Sequence, residues 1–241
     1  PVSFAGLELG LGLGYQQLTL NSQADTKMIS NTGGITTSYS FNNVFSTQGL
    51  APAFWLRCWS KKQDSTYLGV ELDYQYVHQA LEGDFEWNAT GYYQSRAIPF
   101  ARDYLLTHQV SLFAKAGYQY GVWLFSAGIG PALALLNSRW SYAVADSGSS
   151  PDVHLISFVK QSTWHWGGAI KLSAAYQIKP GFLLSLAYTG SVFPEETQVK
   201  VNNLFVYKTV TGDSSQYLDL HERVAFFQQS LVLGLSLQFE A

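Results

Sequence analysis

Between Trp164 and Val192 large and small side chains alternate along the chain. Trp164, Trp166, Gly168, Ile170, Leu172, Ala174 and Tyr176 fall in one set, and His165, Gly167, Ala169, Lys171, Ser173, Ala175 and Gln177 in the other. Ile178-Lys179-Pro180-Gly181 interrupts the run with turn chemistry. Phe182, Leu184, Leu186, Tyr188 and Val192 then alternate with Leu183, Ser185, Ala187, Thr189 and Ser191. A period of two marks β-strands whose successive side chains point to opposite faces. The face opposite a soluble core is charged, whereas here one set is apolar with aromatics at its ends and the other is small and polar. That inverted arrangement is the one a membrane barrel uses, apolar outside and polar within.

The same pattern recurs along the chain. In a first strand over 6–20, Leu7, Leu9, Leu11, Leu13 and Tyr15 oppose Glu8, Gly10, Gly12, Gly14 and Gln16. A second over 48–60 sets Leu50, Phe54, Leu56 and Cys58 outward, with Ala51, Ala53, Trp55, Arg57 and Trp59 inward, an orientation that rests on Arg57. A third over 68–77 places Leu68, Val70, Leu72, Tyr74 and Tyr76 outside, and Gly69, Glu71, Asp73 and Gln75 inside. A fourth over 108–118 puts Val110, Leu112 and Tyr118 outside, and Ser111, Phe113 and Lys115 inside. A fifth over 123–142 has Trp123, Phe125, Ile129, Leu133 and Leu135 outside, and Pro131 within it predicts a local bulge because it cannot donate a ladder hydrogen bond. The last, over 220–239, sets Leu231, Leu233, Leu235, Leu237 and Phe239 outward.

Short connections at 61–64, 119–122 and 178–181 alternate with long ones at 21–47, 78–107, 143–161 and 193–219, which read as loops. Within the last, Asn202-Asn203 predicts a hairpin turn between Thr197–Val201 and Leu204–Lys208. The expected fold is a single all-β domain, a transmembrane antiparallel up-and-down barrel of eight strands. Ten is the alternative if that hairpin spans, which would bring Lys200 and Lys208 to membrane depth. Short turns and both termini would be periplasmic and the four long loops extracellular.

Composition strengthens this reading. The 241 residues are 47% hydrophobic and 13% charged, against about 25% charged in typical soluble domains. No apolar run approaches the roughly 18 residues of a transmembrane helix, and Val122–Leu136 is interrupted by Gly128, Gly130 and Pro131. A net charge of −3 does not suggest nucleic acid as a partner. One cysteine, Cys58, allows no intramolecular disulfide and sits in the apolar set. The chain opens at Pro1 without a basic-then-apolar leader, and a secretory signal is expected to have been removed. The aromatics Tyr15, Tyr74, Tyr76, Tyr118, Trp123, Trp164, Trp166, Tyr176, Phe182, Tyr188 and Phe239 form the expected lipid-facing girdle.

The closing strand, Leu231-Val232-Leu233-Gly234-Leu235-Ser236-Leu237-Gln238-Phe239, looks like the C-terminal assembly signal of small outer-membrane barrels, although Glu240 and Ala241 follow its aromatic. On this motif and the strand pattern, the chain resembles the transmembrane domain of outer membrane protein A and the opacity-type surface proteins. The resemblance implies a bacterial outer-membrane location, contact with lipid bilayer and lipopolysaccharide, and roles in anchoring, adhesion or small channels. It transfers no individual residue.

No catalytic, metal or cofactor motif emerges. His78, His108, His154, His165 and His221 lack metal-ligand spacing, His108 and Ser111 face opposite ways by parity, and His165 points inward near Ser162. The inward charges Glu8, Arg57, Glu71, Asp73, Lys115 and Lys171 say more. An eight-stranded barrel has an interior that side chains nearly fill, and unpaired charges there would be costly, so these should pair as a salt-bridged plug or else line a gate. Two non-enzymatic functions follow: an anchor whose loops, carrying Phe41, Phe45, Trp87, Tyr92, Tyr93, Phe205 and Tyr207, bind a surface or host ligand, or a small porin. A lipid-modifying enzyme is a distant third.

Overall fold

The computed structural model describes residues 4–30, 36–83, 100–145, 153–209 and 212–239. Eight strands form in chain order: β1 (Gly6–Ser30), β2 (Thr36–Gln63), β3 (Thr66–Gly83), β4 (Phe100–Tyr120), β5 (Trp123–Ala145), β6 (Val153–Lys179), β7 (Phe182–Thr209) and β8 (Gly212–Phe239). Each pairs antiparallel with the next, and β8 returns to β1 to close the ring.

The register sets the barrel's shape. Stepping across partners from Ala51 through Gly14, Val232, Ala187, Ser173, Ser126, Gly117 and Tyr67 arrives at Lys61, ten residues further along β2 (51 to 61). With eight strands that stagger corresponds to a tilt of about 40°, from a rise of about 3.3 Å per residue and a spacing of about 4.8 Å. Three turns are tight, and two of them use glycine at positive φ, Gly121 (φ 60) and Gly181 (φ 78), where a β-carbon would be strained.

Outward apolar side chains form a belt against the end that carries these turns. Leu11 is 63% exposed, Ile129 67% and Trp166 62%, values that are intelligible only against lipid. Tyr118, Trp123, Tyr176, Phe182 and Phe239 lie on the belt at the short-turn end, and Tyr15, Tyr76, Trp164 and Trp166 at the other; Tyr74 and Tyr188 sit between, half-buried. Cys58 is exposed on the same face.

Beyond the belt the strands continue, all on the side opposite the short turns. The stretches expected as long loops are mostly strand: β1 and β2 stay paired from Gly6↔Trp59 to Ile29↔Thr36, and β7 and β8 pair out to Thr209↔Gly212. Asn202-Asn203 is therefore not a turn but lies inside β7, opposite Asp219 and Leu218, and the ten-stranded alternative falls with it. Phe41, Phe205 and Tyr207 are strand residues, and Phe45 packs on Tyr104 at 5.3 Å between ring centroids instead of being displayed on a loop. Trp87, Tyr92 and Tyr93 lie outside the described residues.

The physical reason is a switch of polarity along each strand. In β1 the outward set Leu7–Tyr15 is apolar, but beyond it Leu18, Leu20 and Ala24 are apolar and buried inward, with Asn21 and Gln23 exposed. In β8 the change falls between Phe226, inward, and Leu231, outward. A strand leaving lipid for water must reverse which face is greasy, so the projecting part has an ordinary soluble core.

Two seams divide the projecting part. β2 pairs with β3 only from Ala53↔Gln75 to the turn, and β6 with β7 only from Gly168↔Val192 to the turn. Above those pairs β7–β8–β1–β2 and β3–β4–β5–β6 stand as two curled sheets. Each seam opens near a register irregularity, between Tyr76 and Gln79 in β3 and from Phe193 to Val199 in β7. Pro131, by contrast, makes no bulge: it faces Gly168, and the β5–β6 register runs through it unchanged, so the missing donor costs a ladder bond without shifting the strand.

Candidate functional site

The inward faces fill the lumen in layers, and β1 passes each in turn: Glu8, Gln16, Leu18 with Leu20, then Ser22. Nearest the short turns Phe4, Trp59, Tyr67, Leu124 and Leu183 pack together as a cap.

Above it lie the six charged residues. Arg57 is the hub, with Nη1 2.9 Å from Glu8 Oε1 and Nε 2.5 Å from Glu71 Oε2. Lys115 Nζ is 2.8 Å from Glu71 Oε2, and Lys171 Nζ is 2.5 Å from Glu71 Oε1 and bonded to Asp73. Three carboxylates thus meet three basic side chains, and the formal charges of the layer balance. Its rim is satisfied by uncharged donors and acceptors: Trp55 Nε1 and Ser236 Oγ donate to Glu8 at 3.1 and 2.7 Å, and Lys115 donates to Ser173 at 3.0 Å. Gly10 makes this possible, because a β-carbon there would stand 2.0 Å from the Trp55 indole.

An amide layer follows. Gln228 donates to Gln16 (3.1 Å), Gln16 to Gln75 (2.7 Å) and Gln75 to Asp73 (3.1 Å), a chain of donors running down onto the charged layer. Gln109 donates to Ser191 at 2.9 Å. Next comes an apolar layer in which Leu18, Leu20, Val77, Leu106, Leu136, Phe193, Val224 and Phe226 meet from six strands, and Phe193 stacks on Phe226 with centroids 4.3 Å apart.

The topmost layer was not anticipated from the sequence. Glu222 accepts from Ser22 (2.6 Å), Trp140 Nε1 (2.9 Å) and Tyr104, and Arg102 Nη1 lies 3.7 Å from it. Burial pushes the Glu222 carboxyl above the usual carboxylate range, against the pull of these hydrogen bonds. Burial, with the Glu222 charge second, pushes the Tyr104 phenol up as well. A signal existed: Glu222 shares its parity with the inward Val224, Phe226 and Ser230.

His165 does not engage Ser162. Its Nε2 lies 2.6 Å from Gln198 Oε1 and its Nδ1 3.4 Å from Glu196, bridging the β6–β7 seam, while Ser162 is exposed and donates to Asn137. His108 lies on the outward face and Ser111 is buried inward. Among the described residues no cluster of three metal-ligating side chains occurs.

No family model and no curated protein matches the chain. Solved structures do. The outer membrane protease OmpT from Escherichia coli is 13% identical, with 99% of each chain covered and a TM-score of 0.45. The outer membrane protein OprG from Pseudomonas aeruginosa is 14% identical over 98% of this chain and 97% of its own, at 0.44. Neisserial surface protein A is 13% identical over 94% and 97%, at 0.31.

Proposed function

We propose that this protein is an integral outer-membrane barrel that anchors a tall, two-sheet projection on the cell surface, where the projection contacts other surface or host components. The termini and short turns are periplasmic and the long hairpins extracellular. The observation that carries the reading is the filled lumen: cap, ion pairs, amides and apolar side chains follow one another along a single axis, leaving the projection as the exposed working part. A strand of 28 residues tilted by about 40° rises roughly 70 Å, and lipid takes only about 25 Å of that. We read it as non-enzymatic, His165 meeting Gln198 and Glu196 while Ser162 donates to Asn137 on the exposed face.

A narrow channel is the second reading. Gln79 Oε1, Gln109 Oε1, Gln228 Oε1 and Thr189 Oγ1 are buried acceptors without a protein donor among the described residues, which is the chemistry that ordered water satisfies. Planar-bilayer recording separates the two. The anchor gives no steady current, and binding of the purified protein to cells or matrix disappears when the hairpins are shortened to the belt. Steady wild-type conductance overturns the anchor.

A further inference from the structure

On the outward face of β3 and β4, Tyr74 Oη lies 2.9 Å from His108 Nδ1, and Tyr76 Oη lies 3.1 Å from His78 Nδ1. The four rings form a ladder. Tyr74 stacks on His108 with centroids 6.0 Å apart, Tyr76 stacks on His78 at 5.5 Å, and Tyr76 also meets His108 at 5.4 Å. His78 takes a left-handed backbone, φ 44, beside the irregularity between Tyr76 and Gln79, a conformation a non-glycine residue adopts at some cost. The ladder stands at the edge of the belt away from the short turns, where Tyr74↔Val110 gives way to Tyr76↔His108.

Two features point to a ligand. First, each imidazole engages a tyrosine through Nδ1, and among the described residues neither Nε2 has a partner. When the tyrosine hydroxyl donates to Nδ1, the proton sits on Nε2, and two N–H donors stand free at headgroup depth. Second, an apolar groove of about 520 Å³ on the outer surface is lined by Leu9, Leu11, Phe54, Leu56, Leu72 and Tyr74. Tyr74 belongs to both, so the groove ends at the ladder.

We infer that groove and ladder together are a site for one phosphate-bearing lipid of the leaflet on the hairpin side. The Nε2–H groups of His78 and His108 donate to the headgroup phosphate, the two tyrosines fix ring orientation, and an acyl chain lies along the groove. Free phosphate would satisfy the donors but leave the groove unused, which is why the lipid is the source.

Native mass spectrometry of the barrel in a neutral maltoside detergent tests this with three probes: dioleoyl phosphatidate, dioleoylglycerol and inorganic phosphate. Wild type should retain one phosphatidate with a preference over dioleoylglycerol of roughly tenfold or more, as expected for two hydrogen bonds to a charged group. His78→Ala with His108→Ala should abolish the preference, and Leu72→Trp, which fills the groove, should weaken both lipids. Tyr74→Phe with Tyr76→Phe keeps the rings and should lower the preference a few-fold, which carries the test if the histidine pair fails to fold. Equal retention of the two lipids by wild type, an unchanged preference in either pair of variants, or displacement of phosphatidate by millimolar inorganic phosphate overturns the proposal.

Discussion

Arg57 and Glu71 are direct cross-strand partners on β2 and β3, and their side chains meet at 2.5 Å inside the barrel. Arg57 is also the register partner of Glu8 on β1. One guanidinium thus ties three neighbouring strands, and a slip of one residue in any of them would turn its charge into lipid and strand its partners. The ion pairs select the register as much as they stabilise it.

Glu71→Ala leaves Arg57, Lys115 and Lys171 sharing Glu8 and Asp73 in a buried layer. Removing one partner of a buried pair costs about 3–5 kcal/mol. Urea titration of the barrel in lipid vesicles should show a loss of that order. A loss below about 1 kcal/mol would mean that the layer is hydrated and the pairs are weak, as at a protein surface.

Leu172 is 55% exposed at the middle of the belt, and Ser173 faces the lumen. Leu172→Arg should impair vesicle folding by about 2–4 kcal/mol. Parity alone would make Ser173→Ala silent, but its hydroxyl bonds Lys115 at 3.0 Å and Ser126 at 2.7 Å, so about 1 kcal/mol should be lost. Equal damage from both would refute the assignment of faces.

Glu222 lies on β8 beyond the belt, and its folded-state carboxyl titrates above its unfolded value because of burial. Protonation therefore favours the folded projection. This contribution is complete below the unfolded value, about 4.3, and is lost as pH rises through the higher folded value. Glu222→Gln mimics the protonated form. The stability difference between variant and wild type, from urea midpoints at several pH values, should favour the variant more as pH rises from about 4. A flat difference would place the carboxyl in a water-like environment.

Topology has its own test. A cysteine at Lys160 or Lys200, both exposed on the projection, should react with an impermeant maleimide on intact cells, and one at Lys62 beside the first short turn should not. The reverse pattern would invert the protein in the membrane.

The belt was legible because lipid imposes a simple rule, apolar outward at every second residue, and the inward charges were legible by the same parity. What lay beyond the membrane was not, because the rule reverses there. Leu18 and Leu20, at the end of the first expected strand, break the odd-numbered pattern of Leu7 to Tyr15, and reading the residues from Asn21 onward as a loop hid the second core that this break announces. The cluster at Ser22, Arg102, Tyr104, Trp140 and Glu222 joins residues up to 200 positions apart. Only the closed register brings them together. The irregularities near His78 and Glu196 depend on cross-strand partners, and no local motif announces them.

The layers also decide how the lumen is sealed. Phe193 and Phe226 stack within the apolar layer, one layer above the amides and two above Glu71. Breaching the charged layer alone admits water no further than the amides, so Glu71→Ala should be unstable yet remain non-conducting in planar bilayers. Phe193→Ala with Phe226→Ala removes the stacked rings, at about 3–5 kcal/mol for each, and leaves the ion pairs intact. Those pairs still close the pore, so that variant too should pass no steady current. Only the triple combination opens both of these seals and leaves the cap at Phe4, Trp59 and Tyr67 as the remaining closure, so it is the variant in which current should first appear, and that current should depend on the charges that remain. Conductance in Glu71→Ala by itself would show that the apolar layer does not close, and the narrow-channel reading would then replace the anchor.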